Sequence, residues 1–563
     1  MDGASTSDGS GDGVPELPGD QPSDQSVDQP ADESVDQSVD QFVDEPGELA
    51  VGQPGPAIGN ASLRQLSLNV VSSYGTFAVG VVLSLLLTRV LLLHLGAGTY
   101  GLWIVLLALV SYLGLLDVGI GTAAVQRIAR LNAVDDKAGI ADLIRTTWVV
   151  FALSGAVAVL VTIGLAPFVA SFLNLGTISA TQAGATLVIL GVMSAISFLA
   201  IVPNSVLFGS GRSDRLSQIG LIALLFTQVG QILAVLAGGG LIVLAIFQAS
   251  GIAISFCMAS SVVRRVTGVS LRDGRFSGPL LKDLLRFGGL QSVVTLSSVF
   301  AFQLDALIIG IILPVAQVAP YSVALNTSNF TRSLANQGSA LLLPTYSHFD
   351  AVADRRRQAK YFFNGVMASL VISVPVIVSL AAFGGPILKL WLGTVPPKSY
   401  EIVIALGVVN ALQLPGHQCF LFLTGVGRNR QLVKWAVIGA VVNLAGSIVA
   451  TYLLGPIGPA IGSIPVVLVL DFTILPIMVC RYLDVPVGTY VRKALGPVLI
   501  VGIAAAVIAL GLLRFHPVHS GVAAIVASVI VCGVAWVVFI LVLARVEPEL
   551  RTALLHRLRP GRS

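Results

Sequence analysis

Five ionisable side chains lie inside long apolar stretches of this sequence, at Arg89, Asp117, Asp305, Arg332 and Asp471. A charge in the hydrocarbon core of a membrane costs several kcal/mol, so each of these groups is a functional candidate by default. A guanidinium there could hold a phosphate group through paired, charge-assisted hydrogen bonds. A carboxylate at such a depth could instead serve cation coupling.

Uncharged polar side chains accompany two of these charges at helical spacing. The stripe that includes Arg332 consists of Ser322, Asn326, Asn329 and Asn336. The stripe that includes Asp305 consists of Gln291, Thr295 and Ser298. Such faces cannot look into lipid, so they must face other helices or a wet cavity. Hydrogen-bonded helix packing could explain either stripe by itself. Two stripes that each include a charge inside the membrane favour a polar cavity.

Each charge also has a structural interpretation. Arg89 lies near the end of its span and could extend to the membrane interface. Asp117 could cap a helix or form an ion pair near Gly119 and Gly121. Arg332 could belong to an ion pair with Asp305. The candidate cavity residues are Arg332, Arg89, Asp305, Asp117, Asn326, Asn329, Asn336 and Gln291.

The composition indicates that these charged groups lie in a membrane protein. Of the 563 residues, 55% are hydrophobic and 11% are charged, with a mean hydropathy of +0.88. Soluble domains carry about 25% charged residues. Apolar runs long enough to span a bilayer lie at about 66–93, 99–126, 146–171, 182–208, 216–238, 240–262, 287–313, 317–345, 361–384, 400–423, 432–453, 457–480, 494–513 and 518–544. The predicted fold is therefore an all-α polytopic membrane protein with 14 transmembrane helices.

The distribution of basic residues predicts the orientation. With the N-terminus counted as inside, 28 of the 33 Lys and Arg residues fall in inside segments. Outside segments contain only Lys389, Lys398 and Arg514. Because positive residues favour cytoplasmic loops, both termini are predicted to be cytoplasmic in a multi-pass plasma (inner) membrane protein.

The N-terminal segment has a different character. Residues 1–50 carry 14 of the 29 acidic residues, and no Lys or Arg precedes Arg64. Residues 1–60 contain too few apolar side chains to offset the chain entropy of folding, so we expect a disordered acidic cytoplasmic tail. A docking tail for a basic partner is the alternative.

A weak internal repeat predicts two similar halves. Gly209, Gly211 and Arg212 match Gly425, Gly427 and Arg428 at an offset of 216, and the segment starting at Tyr100 resembles that starting at Val318 at an offset of 218. Because six spans separate the copies, the two lobes form a parallel repeat, an architecture of transporters. The predicted domains are the tail 1–60, an N-lobe 61–270, a C-lobe 271–485, two extra C-terminal helices 486–545 and a basic cytoplasmic C-tail 546–563.

No pattern for catalysis or metal binding accompanies these features. The four Cys residues lack CxxC spacing, the six His residues are scattered, and the phosphate-binding sequence GxxxxGK[ST] is absent. We therefore predict neither an enzyme nor a metal site, and no cofactor or nucleic-acid partner.

Several segments resemble polysaccharide flippases of the multidrug/oligosaccharidyl-lipid/polysaccharide exporter superfamily. They are LLTRVLLLHLGAGTYGLWIVLLALVSYLGLLDVGIGTAAVQRIARL ending at residue 131, FQLDALIIGIILPVAQVAPYSVAL (302–325), LLLPTYS (341–347), ILKLWLG (387–393) and GPIGPAIGS (455–463). The resemblance covers about residues 62–485. It implies two six-helix lobes with alternating access and a central cavity whose basic residues hold the pyrophosphate of a polyprenol-linked sugar.

The resemblance implies a lipid-linked oligosaccharide as substrate, the lipid bilayer as surroundings and a polysaccharide polymerase or glycosyltransferase as candidate partner. Related multidrug extruders often carry an acid in span one, where this chain has Arg89. Asp305 lies where an extruder's coupling acid could lie, so cation-coupled drug extrusion stays an alternative. A non-transporting scaffold for cell-wall assembly is the second alternative.

Overall fold

A computed structural model describes residues 60–117, 119–176, 178–269, 273–286, 304–336, 339, 342–515 and 520–546, with side chains from Val79 onward except at 344, 429–430 and 542–546. These residues are helical throughout apart from turns, and no strand occurs among them. By contacts the chain divides into two units, Met1–Ser67 and Leu68–Ser563, and every described side chain belongs to the second. The predicted tail and the C-terminal residues 547–563 lie outside the described residues.

The helices fall into two halves and a C-terminal pair. The first half contains α1 (Asn60–Ser111), α2 (Ile120–Ala133), α3 (Lys137–Leu165), α4 (Ala180–Gly209), α5 (Ser213–Leu236) and α6 (Leu241–Thr267). A linker helix, α7, covers 278–286. The second half contains α8 (Leu304–Ile312), α9 (Val318–Asn336), α10 (Leu342–Ala351), α11 (Arg355–Leu392), α12 (Ser399–Gly425), α13 (Asn429–Leu454), α14 (Gly458–Val466), a π-helix (Val467–Ile474) and α15 (Leu475–Tyr482). The pair consists of α16 (Gly496–Phe515) and α17 (Gly521–Val546). Short segments join them at Tyr112–Asp117, Ala166–Phe168, Val169–Phe172, Val315–Gln317, Gly455–Ile457, Val487–Tyr490 and Val491–Leu495.

Most of these helices lie where the apolar runs predict them, but α1 ends at Ser111 inside the predicted run 99–126, and α9 ends at Asn336 inside the predicted run 317–345. Ten segments in the described part of the chain are long and apolar enough to cross a bilayer. Two of them, Val79–Asp117 and Gln431–Tyr482, each cover two predicted spans, and α1 breaks at Gly96, whose φ is 78°. The polar helix α9 is not among the ten. The all-helical polytopic fold is confirmed, while the count of fourteen spans stays a prediction.

The turn that carries the repeated GxGR sequence has the same geometry in both halves. Gly211 and Gly427 have φ angles of 70° and 74°, in the left-handed region that favours glycine. The amide of the arginine that follows each glycine donates to the carbonyl five residues back, at 2.9 Å and 2.8 Å. The local backbone thus repeats together with the sequence.

A second duplicated junction precedes α3 and α11, at an offset of 218. Asp136 caps α3 by accepting a hydrogen bond from the amide of Gly139 at 2.8 Å. Asp354 caps α11 by accepting one from Arg357 at 3.0 Å. The residue before each aspartate has a positive φ, 50° and 53°. Two independent junctions therefore support the duplication that the sequence predicts.

The apolar cores show how the halves meet. At one end of the bundle a single core joins them, packing Leu106 of α1 with Val318 of α9 and Leu392 of α11. Within it, Gly101 lies so close to the carbonyl of Val315 that a Cβ would not fit. At the other end, which carries the arginine-rich turns, each half has its own core. We call these the joined end and the basic end.

The C-terminal pair packs on the second half. Both helices contact α11, and the indole of Trp536 donates to the carbonyl of Val371 at 3.2 Å. Their other faces expose large apolar side chains such as Leu499, Val507 and Val529. These faces suit a lipid environment.

Candidate functional site

The polar stripe of α9 begins against the first half. The hydroxyls of Ser322 and Tyr100 share a hydrogen bond of 3.0 Å, and both side chains are almost fully buried. One turn later, Asn326 donates to the hydroxyl of Thr88 at 3.5 Å. This part of the stripe therefore closes onto α1 at the joined end.

The same face continues towards the basic end with Asn329, Arg332 and Asn336, all of them half-buried. The Asn336 side-chain oxygen is buried and has no hydrogen-bond partner among the described residues. Arg332 interacts electrostatically with His417 of α12. We name Asn326, Asn329, Arg332 and Asn336 the α9 stripe. It extends from the inter-half contact into the region where the halves no longer share a core.

Asp305 belongs to a different hydrogen-bond network. Its carboxylate accepts from the hydroxyl of Tyr321 and from that of Ser447, the latter at 3.3 Å. The Ser447 hydroxyl also lies 3.1 Å from the side-chain oxygen of Asn443, with which its one hydrogen would be shared, and Asn443 donates to Ser463 at 3.2 Å. Among the described residues the Asp305 carboxylate therefore bonds to neutral groups of α9 and α13. The hydrogen bonds that hold Asp305 come from Tyr321 and Ser447, and not from Arg332 as the structural interpretation proposed.

Arg89 is exposed and helps to tie the halves together. Its guanidinium donates to the carbonyl of Leu390 at 3.1 Å, and the adjacent Trp391 donates to the carbonyl of Leu85 at 2.9 Å. Both bonds connect α1 with the end of α11. Beside them, a cavity of about 500 Å³ at the joined end is lined by Ala97, Gln317 and Lys398 among others. Arg89 therefore bonds to the backbone of α11, in addition to being exposed.

The remaining candidates separate from the stripe. Asp117 accepts a hydrogen bond from the amide of Gly121 at 2.9 Å, so it caps α2 as its structural interpretation proposed. Asp471 lies in the π-helix and packs directly against Gly416 of α12. Gln291 lies outside the described residues. Substrate contact by any of the candidates stays a prediction.

Sequence reasoning missed the partners of these groups. Tyr100 and Tyr321 fall in the repeated segments that the sequence analysis compares, but nothing in their spacing indicates bonds to Ser322 and Asp305. Trp391 lies in ILKLWLG (387–393), one of the segments that carry the family resemblance. The bonds of Tyr100 to Ser322 and of Trp391 to Leu85 join residues more than 200 positions apart, and that of Tyr321 to Asp305 joins two helices. Such contacts depend on helix packing and leave no periodic signal in a single sequence, so these residues could not be assigned from it.

A family profile described as a polysaccharide biosynthesis protein matches residues 86–395, which is more than half of the chain. The chain belongs to this polysaccharide biosynthesis protein family. The match contains the α9 stripe, Arg89, Asp117 and Asp305, and the predicted resemblance is confirmed at family level. No curated protein matches the sequence.

Solved structures with the same fold are transporters. The lipid II flippase MurJ in an inward closed conformation aligns with a TM-score of 0.65 at 16% identity, covering 85% of this chain and 99% of that chain. An inward-facing multidrug resistance MATE family transporter gives 0.62 at 18%, covering 72% and 95%. A MOP superfamily transporter from Pyrococcus furiosus aligns with a TM-score of 0.52 at 18% identity, covering 75% of this chain and 96% of that chain. At these identities the likeness establishes that this chain shares their fold.

Proposed function

We propose that this family member is a flippase that moves a polyprenyl-pyrophosphate-linked saccharide across the plasma membrane by alternating access. The α9 stripe carries the proposal, because it combines one guanidinium with three amides on one face of α9, and the first amide, Asn326, bonds to Thr88 of the first half. Pyrophosphate and glycan cannot cross hydrocarbon unaided. A guanidinium can bind the diphosphate in two-pronged fashion, while the amides bind sugar hydroxyls. The lipid tail would stay in the bilayer.

The proposed orientation places the basic end in the cytoplasm, because positive residues favour that side. The joined end, with the Arg89 and Trp391 bonds, then faces outward. In this arrangement the α9 stripe is approached from the cytoplasm, where lipid-linked saccharides are assembled. Glycosyltransferases or a polymerase would be the partners that supply or consume the substrate.

Replacement of Arg332 tests the proposal. Arg332→Ala should abolish translocation of lipid-linked saccharide, and Arg332→Lys should keep part of it, because an ammonium lacks the planar fork. Arg356→Ala is the matched control, since Arg356 is an exposed arginine at the basic end. Translocation is measured at equal membrane abundance, together with the melting temperature. Full translocation by Arg332→Ala would contradict the proposal.

Cation-coupled extrusion is the second candidate, and the Asp305 network favours it. A carboxylate surrounded by hydroxyl and amide oxygens suits a cation or a proton. This function predicts that Asp305→Asn raises accumulation of cationic dyes in cells, while Arg332→Ala leaves accumulation unchanged. Unchanged dye accumulation in Asp305→Asn, together with loss of saccharide translocation in Arg332→Ala, would favour the flippase.

A further inference from the structure

A second arginine-rich site lies at the basic end, on the first half. A cavity of about 430 Å³ opens between α2 and the linker helix α7. Its polar lining consists of Gln126, Arg127, Arg130, Asp283 and Arg286, and its apolar lining consists of Ala123, Leu280 and Leu284. The ionisable lining carries three positive charges and one negative charge.

The cavity is built from fixed elements. On α2, Gln126, Arg127 and Arg130 share one face because they are three and four residues apart. On α7, Leu280 and Leu284 pack into the first-half core, and Leu284 is only 3% exposed. The guanidinium-bearing walls are therefore held by a buried apolar base.

The segment leading into α7 is anchored to α3. The amide of Arg275 donates to the carboxylate of Asp142 at 2.7 Å, and the amide of Ser277 donates to the hydroxyl of Thr146 at 3.1 Å. The linker between the halves thus contributes one wall of the cavity. A ligand there would contact both the first half and the start of the chain that leads to the second half.

Two neighbouring side chains place the cavity at a lipid surface. Phe276 is 50% exposed and Leu285 is 40% exposed, next to the charged residues of α7. Exposed aromatic and aliphatic groups interleaved with cations are typical of segments at the membrane interface. Basic pockets at this level bind anionic lipid head groups.

We propose that this cavity binds a phosphate group, and that the source of the phosphate is the head group of an anionic phospholipid. The arginines would hold the phosphate oxygens, and the apolar base would face the glycerol and the first acyl carbons. The duplication supports a dedicated role for the first half alone. At the offset of 218, Arg127 and Arg130 correspond to Thr345 and His348, so the second half lacks the pair.

The test uses the purified full chain in detergent, without any lipid-linked saccharide, so its outcome is independent of the flippase proposal. Native mass spectrometry measures binding of phosphatidylglycerol and of phosphatidylcholine. The Arg127→Gln/Arg130→Gln variant should bind phosphatidylglycerol roughly 30-fold more weakly and phosphatidylcholine as before. Arg356→Gln removes an equivalent exposed arginine from the second half and should leave both affinities unchanged.

A complementary variant keeps the test decisive if the double variant does not fold. Asp283→Asn removes the one negative charge of the cavity and should tighten phosphatidylglycerol binding about fivefold. Equal phosphatidylglycerol affinity in the wild type and these variants would overturn the site. Inorganic phosphate provides the last comparison. If it stabilises the wild type as much as phosphatidylglycerol does, and if the double variant loses this stabilisation, the phosphate site would be upheld and the lipid would be overturned as its source.

Discussion

Closure of the joined end depends on a small number of polar bonds between the halves. Tyr100 bonds to Ser322, and Trp391 bonds to the carbonyl of Leu85, each across the two halves. Tyr100→Phe removes the hydroxyl and keeps the ring, whereas Trp391→Phe removes the indole N–H and leaves a smaller aromatic ring. In the closed state the partners lose these bonds, whereas in an open state water would solvate them.

The expected shift follows from the worth of such bonds. A neutral hydrogen bond contributes about 1 kcal/mol net, so the double variant should favour opening of the joined end by about 2 kcal/mol. That corresponds to a roughly 30-fold larger open population. Arg89→Gln would add less than its charge suggests, because Arg89 is exposed and solvent screens its bond.

Cysteine labelling measures this population. Val318 is fully buried in the joined core, so Val318→Cys in a chain without its four native cysteines reacts with a polar thiol reagent only when the halves separate. The labelling rate should rise roughly 30-fold in the double variant.

Tyr400→Phe is the control, because its hydroxyl bonds to the carbonyl of Ala381 within the second half. It should leave the labelling rate unchanged. Equal rates in the double variant and the control would refute the assignment of these bonds to closure.

Three further outcomes follow from other parts of the chain. Single cysteines within 264–286 and 353–360 should be labelled only from the cytoplasm and those within 394–398 only from outside; labelling of both groups from one side would contradict the predicted topology. Asp117→Ala should lower stability by about 1 kcal/mol through loss of the α2 cap, seen as a lower melting temperature, while Asp117→Asn should lower it less. Tyr482 lies between the guanidiniums of Arg355 and Arg428, at 4.0 Å and 4.6 Å, so Tyr482→Leu should cost about 2 kcal/mol of stability, and a melting temperature unchanged from the wild type would contradict this role.

Helix positions could be predicted because the bilayer imposes a length on every apolar run. Helix α4 covers the predicted run 182–208, and α12 covers 400–423, each extended by only a few residues. The GxGR turns were visible for a similar reason, since a left-handed backbone position selects glycine. Both signals are local, because each arises from residues that are close together in the sequence.

The second duplicated junction is also visible in the sequence. Residues 133–137 read AVDDK and residues 351–355 read AVADR, at the offset of 218. The shared Ala-Val and Asp reflect the same turn and the same helix cap. The junction can therefore be recognised by comparing the sequence with itself at the offset of 218.

The partners of the buried charges could not be predicted, because each depends on how helices pack. The spacing of Arg332 and Asp305 allows an ion pair, but packing gives Asp305 to Tyr321 and Ser447 instead. Asp117 shows the opposite case. Its partner, the Gly121 amide, is four residues away, so a local interpretation sufficed.

The position of the α9 stripe also bears on why transport would need a substrate. Closing the basic end would move the amides of Asn329 and Asn336 out of water, and each buried polar group left without a partner costs about 1–3 kcal/mol. Opening the joined end would in addition give up the bonds of Tyr100 and Trp391. A saccharide bound to the stripe would supply hydroxyl partners in the closed form and so offset the first cost. Reversing a 1:99 equilibrium needs about 5.5 kcal/mol of differential binding, which a few such hydrogen bonds and a bound diphosphate can provide. An empty carrier would lack that contribution, so in the proposed mechanism the unloaded protein would change conformation more slowly than the loaded one.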